Sequence, residues 1–154
     1  MPESRIAPDV TARRRAMAAF AEATADELAG ALDAILGETA ATDLRRPEAG
    51  LVMVRGRIGG DGPAFNLGEA SVARASVTVG GLVGHAYRLG RDTGAARLAA
   101  IADALWQDPA RRPAVEAALV APVEARLAAD RDDASRRAAA TRVDFFTMVR
   151  GDVD

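Results

Sequence analysis

The segment TRVDFFTMVRGD at residues 141–152 combines β-branched and aromatic residues, a composition that predicts a β-strand. It follows a long stretch rich in alanine and arginine, which favours helix. A strand that comes last is stable only if it pairs with strands formed earlier in the chain. The segment therefore predicts a final strand that closes a sheet whose other members lie near the middle of the chain.

Apolar side chains occupy both faces of this predicted strand. Val143, Phe145 and Val149 alternate with Phe146 and Met148, so both faces favour burial. One face can pack against the helices of the same chain. We expect the other face to contact a partner chain, which makes Phe145, Phe146 and Met148 the candidate interface residues.

The middle of the chain supplies the other strands. Residues 50–58, 71–79 and 82–89 are predicted to be long strands, with a short extended segment at residues 65–68. Gly80 and Gly81 suit a two-residue hairpin turn because glycine adopts positive φ without penalty. Residues 38–49 are polar and contain Arg46-Pro47, which disfavours helix, so this segment is predicted to be a connecting loop.

Helices are predicted on both sides of the strands. Asp9 or Thr11 can cap a first helix, and the stretch from Thr24 to Glu27 has the spacing of a capping box that opens a second helix ending at residue 37. After the strands, Asp92 is predicted to cap a third helix. Asp108-Pro109 is predicted to begin a further helix, with aspartate as its cap and proline at its first position.

These elements predict an α+β fold in a single domain over residues 1–154. Residues 1–37 form an N-terminal helical hairpin, residues 49–90 the strands, residues 91–140 further helices and residues 141–152 the final strand. The sheet is expected to be antiparallel, with about four strands and with the helices packed on it.

Composition excludes several classes of function for this chain. The net charge of −2 argues against a broad nucleic-acid-binding surface. The sequence has no cysteine, which excludes disulfides and iron–sulfur ligation, and its only histidine is His85, which excludes a histidine-rich metal site. It has neither a signal-peptide pattern nor an apolar run of about 20 residues, so we expect a cytoplasmic protein without membrane contact.

Arginine is the residue type that points to a binding function. All 20 basic residues are arginine, whose planar fork suits carboxylate or phosphate. Several lie within predicted strands or at their ends, on the sides opposite the most apolar faces. The candidate phosphate-binding residues are Arg55, Arg57, Arg74, Arg91 and Arg150. The alternative interpretation is a solvated sheet face on which the arginines pair with Glu48, Glu69, Asp92 and Asp144.

No catalytic constellation stands out. His85 has a side-chain pKa range suited to a general base, but a lone histidine in an apolar strand is more often packed and hydrogen-bonded. Ser71 and Ser76 lack a nucleophile elbow. Gly59 to Gly62 is a turn rather than a phosphate-binding loop. Trp106 is expected to be an anchor in the core or in an interface. The sequence assigns no catalytic residue and no metal site.

The terminal segment at residues 141–152 closely resembles the C-terminal signature of PhnG, a subunit of the bacterial carbon–phosphorus lyase system. The similarity extends through GLVMVRGRIGG at residues 50–60 and FNLGEA at residues 65–70. It also includes Arg74, Gly90-Arg91-Asp92 and Asp103-Ala104-Leu105 in the same order. The chain thus resembles the PhnG family from about residue 49 to its end, with looser agreement in its N-terminal helices.

The resemblance implies membership of a core complex with PhnI-, PhnH- and PhnJ-like subunits, aided by a PhnL-like protein. That complex couples an alkylphosphonate to ATP, displaces adenine and forms α-D-ribose 1-methylphosphonate 5-triphosphate. S-adenosylmethionine and an iron–sulfur cluster serve the later step in the PhnJ-like subunit, so this chain itself needs no cofactor. Family members carry a histidine shortly after Gly-Arg-Asp, where this chain has Ala95. An obligatory acid–base role for that histidine is therefore not supported.

Two molecular roles remain open. In the first, the chain is a subunit without its own active site that acts in assembly and shapes a composite site. In the second, its arginines bind the phosphates or the phosphonate directly. The isolated chain is also a candidate for self-association. An independent hydrolase centred on His85 is the remote alternative.

Overall fold

The computed structural model describes residues 10–142 and shows an α+β protein with a three-stranded antiparallel sheet in the order β1-β2-β3. The elements are α1 (Val10–Glu22), α2 (Ala25–Leu36), β1 (Ala41–Arg57), β2 (Ala64–Val79), β3 (Leu82–Leu89), α3 (Thr93–Gln107), α4 (Arg112–Val115) and α5 (Ala121–Ala140). The predicted α+β class with helices and an antiparallel sheet is confirmed. The chain divides into two compact units between Glu124 and Ala125.

The N-terminal helices begin and end where their caps predict. Thr24 accepts a hydrogen bond from the Glu27 backbone, and the Glu27 side chain accepts one from the Thr24 backbone at 2.7 Å, so the capping box is confirmed. Gly37 ends α2 with φ of 55°. Both α1 and α2 pack mainly against α3 rather than against each other. Their buried side chains, such as Phe20 and Leu28, belong to one shared core.

The hairpin of β2 and β3 is the best predicted part of the sheet. Val79 pairs with Leu82 across Gly80 and Gly81, both of which have positive φ. This turn agrees with the predicted hairpin. Alternate side chains of β2 point towards the helices and are buried there: Ala73, Ala75, Val77 and Val79. This is the face that the sequence alternation predicts.

The prediction of a loop at residues 38–49 is wrong, because β1 begins at Ala41. The register shifts between Asp43 and Arg45 and again before Glu48. These irregularities accommodate Pro47 in an edge strand, where a missing N–H breaks no hydrogen bond within the sheet. Because the pairing is irregular, residues 41–49 lack the regular alternation of apolar and polar side chains from which a strand is predicted.

The two extended segments predicted at residues 65–68 and 71–79 are one continuous strand, β2. Pairing with β1 holds the intervening residues in the sheet, since Ala70 lies opposite Val52 and Glu69 opposite Met53. Tertiary pairing therefore overrides the weak local signal of the polar and small residues between the two segments.

The helices after the sheet follow their caps only in part. Asp92 caps α3, accepting a hydrogen bond from the Ala95 backbone at 2.8 Å, as predicted. The helix predicted from Asp108-Pro109 is displaced: Asp108 accepts from Ala110 in a turn, and α4 begins at Arg112. A π-helical turn, Glu116–Val120, then precedes Pro122. This irregular turn accommodates Pro122, because proline lacks the N–H that a regular helix requires.

Residues 125–140 are the helical part of the second unit that the structure describes. Charged side chains pair along them, with Arg137 Nη2 3.0 Å from Asp133 Oδ2. From Val143 onward, the predicted final strand lies outside the described residues, so residues 10–142 contain three strands where about four were predicted for the chain. Within the same range, no helix is long and apolar enough to cross a membrane.

A close approach between β3 and α3 holds the sheet against the helices. Gly84 faces α3, and a Cβ atom there would lie 2.0 Å from the Ala100 carbonyl oxygen and 2.6 Å from the Ala104 nitrogen. Neither neighbour is the end of a flexible side chain, so any side chain at residue 84 forces the two elements apart.

We expect Gly84→Ala to lower the free energy of unfolding by about 1–3 kcal/mol or more, because the core cannot accept the added methyl group. Urea unfolding followed by circular dichroism measures this. Gly30→Ala is the matched control: nothing lies within 4 Å of a Cβ at this α2 position. It should raise stability by about 0.5–1 kcal/mol through helix propensity. Equal stabilities of the two variants would contradict the packing argument.

Candidate functional site

The strand pairing creates a two-stranded extension of the sheet. β3 pairs with β2 only as far as Val72, whereas β1 and β2 continue to pair out to Arg57 and Ala64. We call residues 50–70 the β-arm. All of its residues from 51 to 69 are exposed except Gly56 and Gly62, which are half-buried. Two of the segments that resemble a known family, residues 50–60 and 65–70, therefore lie in a part of the sheet that is exposed.

One face of the β-arm is apolar. Val52 lies opposite Ala70, and Gly56 lies opposite Phe65. The register shift after Val54 adds Leu67 to this face, because a Cβ atom built at Gly56 would contact the Leu67 side chain. We call this the apolar arm face. Its members are exposed by 38% to 74%: Val52, Val54, Phe65, Leu67 and Ile58.

The opposite face of the β-arm carries two of the predicted phosphate-binding residues, Arg55 and Arg57. They lie across from Asn66 and Ala64, on the same side of β1 as Met53. Arg57 Nη1 donates to the Gly62 carbonyl at 3.0 Å. Within residues 10–142, neither guanidinium has a carboxylate partner.

Arg91 lies at the base of this arginine-bearing face. It lines a cleft of about 230 Å³ together with Ala49, Gly50, Leu51 and Ser71. Leu51 is four residues from Arg55, which is about 13 Å along an extended strand. Arg91, Arg55 and Arg57 thus form a row along one side of the β-arm, rather than a cluster around one phosphate.

Arg74 does not join this row. It lies on the opposite, helix-free face of the sheet, where its Nε donates to Glu48 Oε1 at 2.6 Å and its Nη1 to the Tyr87 hydroxyl at 3.3 Å. The hydrogen bond to Tyr87, followed by that to Glu48, raises the pKa of Arg74. The alternative interpretation expected this pairing with Glu48.

The remaining sequence candidates lie outside the described residues. These are Arg150, predicted to bind phosphate, and the predicted interface residues Phe145, Phe146 and Met148. Their assignments stay predictions.

His85 was expected to be both packed and hydrogen-bonded. It is hydrogen-bonded, but its side chain is exposed rather than packed. Its imidazole is exposed on the helix-free face, where Nδ1 lies 2.9 Å from the Ser76 hydroxyl oxygen. Among the described residues, no carboxylate contacts the ring to complete a triad. The backbone N–H of His85 instead donates to Asp103 Oδ2 at 2.9 Å.

Asp103 is the buried charge of the described residues and was not singled out as a site from the sequence. Its side chain is fully buried and accepts two hydrogen bonds from Arg13, at 2.9 Å and 2.8 Å. This pair raises the pKa of Arg13. The sequence feature that could have revealed this buried charge is an acidic residue between Ala102 and Ala104 on the apolar face of α3. The carboxylate joins α1, α3 and β3, so its role is structural.

Other inward-facing polar side chains are also engaged by the fold. Arg88 donates to the carbonyls of Phe20 and Ala23 near the end of α1, and burial lowers the pKa of Arg88. Trp106 is 1% exposed, and its indole N–H donates to Glu116 Oε1 at 2.7 Å. Of the two alternatives that the sequence leaves open for Trp106, an anchor in the core or in an interface, the structure shows the core anchor.

Comparison with known proteins identifies the family. The model of the family described as "Phosphonate metabolism protein PhnG" matches residues 11–151. This chain belongs to the PhnG family. It is 54% identical over 144 residues to a Rhizobium meliloti (strain 1021) protein named "Alpha-D-ribose 1-methylphosphonate 5-triphosphate synthase subunit PhnG", which covers 93% of this chain and 92% of the relative. The resemblance seen in the sequence is confirmed.

Most segments of PhnG resemblance within residues 10–142 fall in three places in the fold. Residues 50–60 and 65–70 form the β-arm, Gly90-Arg91-Asp92 joins β3 to the cap of α3, and Asp103 forms the buried ion pair. Ala95 is buried in the first turn of α3. The resemblance thus covers both the interior contact and the exposed extension.

We expect Asp103→Asn to lower the free energy of unfolding of this PhnG chain by about 2–4 kcal/mol, because it leaves Arg13 without its charged partner. Urea unfolding gives the value. The matched control is Asp133→Asn, whose exposed ion pair with Arg137 should contribute less than about 1 kcal/mol. A loss at Asp103 no larger than that of the control would refute the structural role.

Proposed function

We propose that this chain is a subunit of an α-D-ribose 1-methylphosphonate 5-triphosphate synthase and acts in organic phosphonate catabolism within a carbon–phosphorus lyase core complex. The observation that carries the proposal is the 54% identity, over nearly the full length of both chains, to a protein named as the PhnG subunit of that synthase. The family match over residues 11–151 supports it independently.

The molecular role that we propose is assembly and the shaping of a composite site. Three observations support it. Asp103 and Arg88 are engaged in holding helices to the sheet. The His85 ring bonds to a serine without a carboxylate behind it in the described residues. Most of the exposed large apolar side chains within residues 10–142 lie in the β-arm, and exposed apolar patches of this kind mark interaction sites.

The wider assignment follows the PhnG resemblance. The partners in this proposal are PhnI-, PhnH- and PhnJ-like subunits and a PhnL-like protein, acting together in the cytoplasm. ATP and an alkylphosphonate are the substrates of the complex, and adenine is the leaving group. S-adenosylmethionine and the iron–sulfur cluster act in the PhnJ-like partner, which agrees with the absence of cysteine from this chain. The final strand at residues 141–152, with Phe145, Phe146 and Met148 at a partner interface, belongs to the same proposal.

A second candidate role is direct contact with the substrates through arginine. It is favoured by the row of Arg55, Arg57 and Arg91, none of which has a carboxylate partner among the described residues. A row spaced along a strand suits an elongated polyanion such as a triphosphate better than a single phosphonate group. Arg150 remains a candidate, whereas the ion pair with Glu48 makes Arg74 the weakest one.

Reconstitution tests the subunit role. We expect adenine release from ATP and methylphosphonate when this chain is co-purified with its proposed partners, and none from the chain alone or from partners prepared without it. Liquid chromatography of adenine measures the reaction. His85→Ala should keep full activity in the complex, because no acid within residues 10–142 orients its ring. Adenine release by the isolated chain would refute the proposed role, and so would full activity without the chain.

Substitution of the arginine row separates the two roles. If the row binds substrate, Arg57→Ala should leave the complex assembled but lower kcat/KM for ATP by about tenfold or more, the loss expected for one charge-assisted hydrogen bond. Arg46→Ala is the control, since Arg46 lies on β1 outside the β-arm and is exposed. Equal kinetics of the two assembled variants would remove Arg57 from the substrate site.

A further inference from the structure

The β-arm is a two-stranded ribbon that is exposed to solvent. It has two strands, no third strand at either edge and no helix covering either face within the described residues. An isolated hairpin is marginally stable in water, because it buries little apolar surface. Long edge strands with exposed apolar side chains also invite pairing with another chain. These properties are tolerated when the element is buried in an assembly.

The apolar arm face is continuous with a second exposed apolar region on the sheet. Val72 lies next to Ala70 along β2 and pairs with Leu89, which is 79% exposed. Tyr87, on the same helix-free face, is 59% exposed. The arm and this strip supply about the 20–30 residues that one side of a standard interface contains.

The other face of the β-arm specifies the charge of its partner. Arg55 and Arg57 lie beyond Met53 on that face and are without carboxylate partners in the described residues. An arginine that becomes buried in an interface needs hydrogen-bond acceptors, and a carboxylate in bidentate geometry is the strongest of them. The complementary surface is therefore an apolar cleft bordered by acidic side chains.

A second copy of this chain fits these requirements poorly. Two clefts of about 290 Å³ and 230 Å³ on the described surface could each seat an apolar side chain of the arm: one is lined by Arg14 with Met17 and Phe20, the other by Arg91 with Leu51. Each contains an arginine and neither is lined by a carboxylate. A self-interface that seats the arm in either cleft would bring like charges together, which disfavours association.

We propose that the β-arm is the element by which this chain docks into a different subunit of the synthase, in an apolar cleft bordered by carboxylates. The inference rests on the proposed subunit role and gives it a location. The arm inserts as a two-stranded ribbon, with its apolar face against the cleft and Arg55 and Arg57 paired at its border.

A matched pair of valines tests the location. Val54 lies on the apolar arm face and is 39% exposed, and Val83 lies on β3 outside the arm and is 37% exposed. Each is changed to aspartate in the full chain, which is then co-expressed with the other subunits. We expect Val54→Asp to lower the amount of this chain recovered in the complex by at least about tenfold. Val83→Asp should assemble normally, and circular dichroism should show that both variants fold.

Charge reversal tests the chemistry of the cleft. We expect Arg55→Glu to weaken assembly more than Arg46→Glu, which reverses an exposed charge outside the arm, with the difference shrinking at high salt. Hydrogen exchange gives a readout independent of mutation. Amides of residues 51–57 and 64–69 should exchange rapidly in the isolated chain and become protected in the complex.

The outcomes separate the two proposals. Failure of the unmodified chain to assemble at all would refute the subunit role. Normal assembly of the Val54→Asp chain, or an arm that stays unprotected in an assembled complex, would overturn the docking inference alone. A stable dimer of the isolated chain that Val54→Asp dissociates would also overturn it, since the arm would then serve a self-interface.

Discussion

Asp103 places a negative charge in the apolar interior, and the packing of the helices on the sheet depends on how that charge is satisfied. Two hydrogen bonds come from Arg13 of α1 and a third from the backbone of His85 in β3. Because an unpaired buried carboxylate costs several kcal/mol, the three elements are held in one arrangement. Gly84 makes that arrangement accessible by letting β3 approach the backbone of α3.

The same contacts explain why the β-arm is uncovered. α3 lies against the part of β2 that carries Ala73, Ala75, Val77 and Val79, and β3 ends at Leu89 opposite Val72. Beyond that row the chain has no third strand and no helix among the described residues, although β1 and β2 continue their pairing to Arg57 and Ala64. The core thus anchors one end of a ribbon whose other end extends away from it.

Sequence reasoning succeeded where a few adjacent residues determine the outcome. The capping box at Thr24, the Gly80-Gly81 turn and the Asp92 cap are local, and the structure confirms each. It failed where pairing at long range decides. Residues 41–49 form a strand only because β2 lies beside them, with bulges that accommodate Pro47. Asp103 was missed as a site because its partners, Arg13 and His85, are distant in sequence.

Alternation predicted which arm residues share a face but could not show that neither face is buried. That distinction separates a core strand from an interaction element, and here it redirects the functional interpretation. Residues that resemble catalytic or anion-binding groups, such as Asp103, Arg88 and Arg74, are bonded within the chain. Arg55 is left without a carboxylate partner in the described residues, and Val54 is left exposed beside it. A surface that combines exposed apolar and unpaired cationic side chains is best explained by what another subunit supplies.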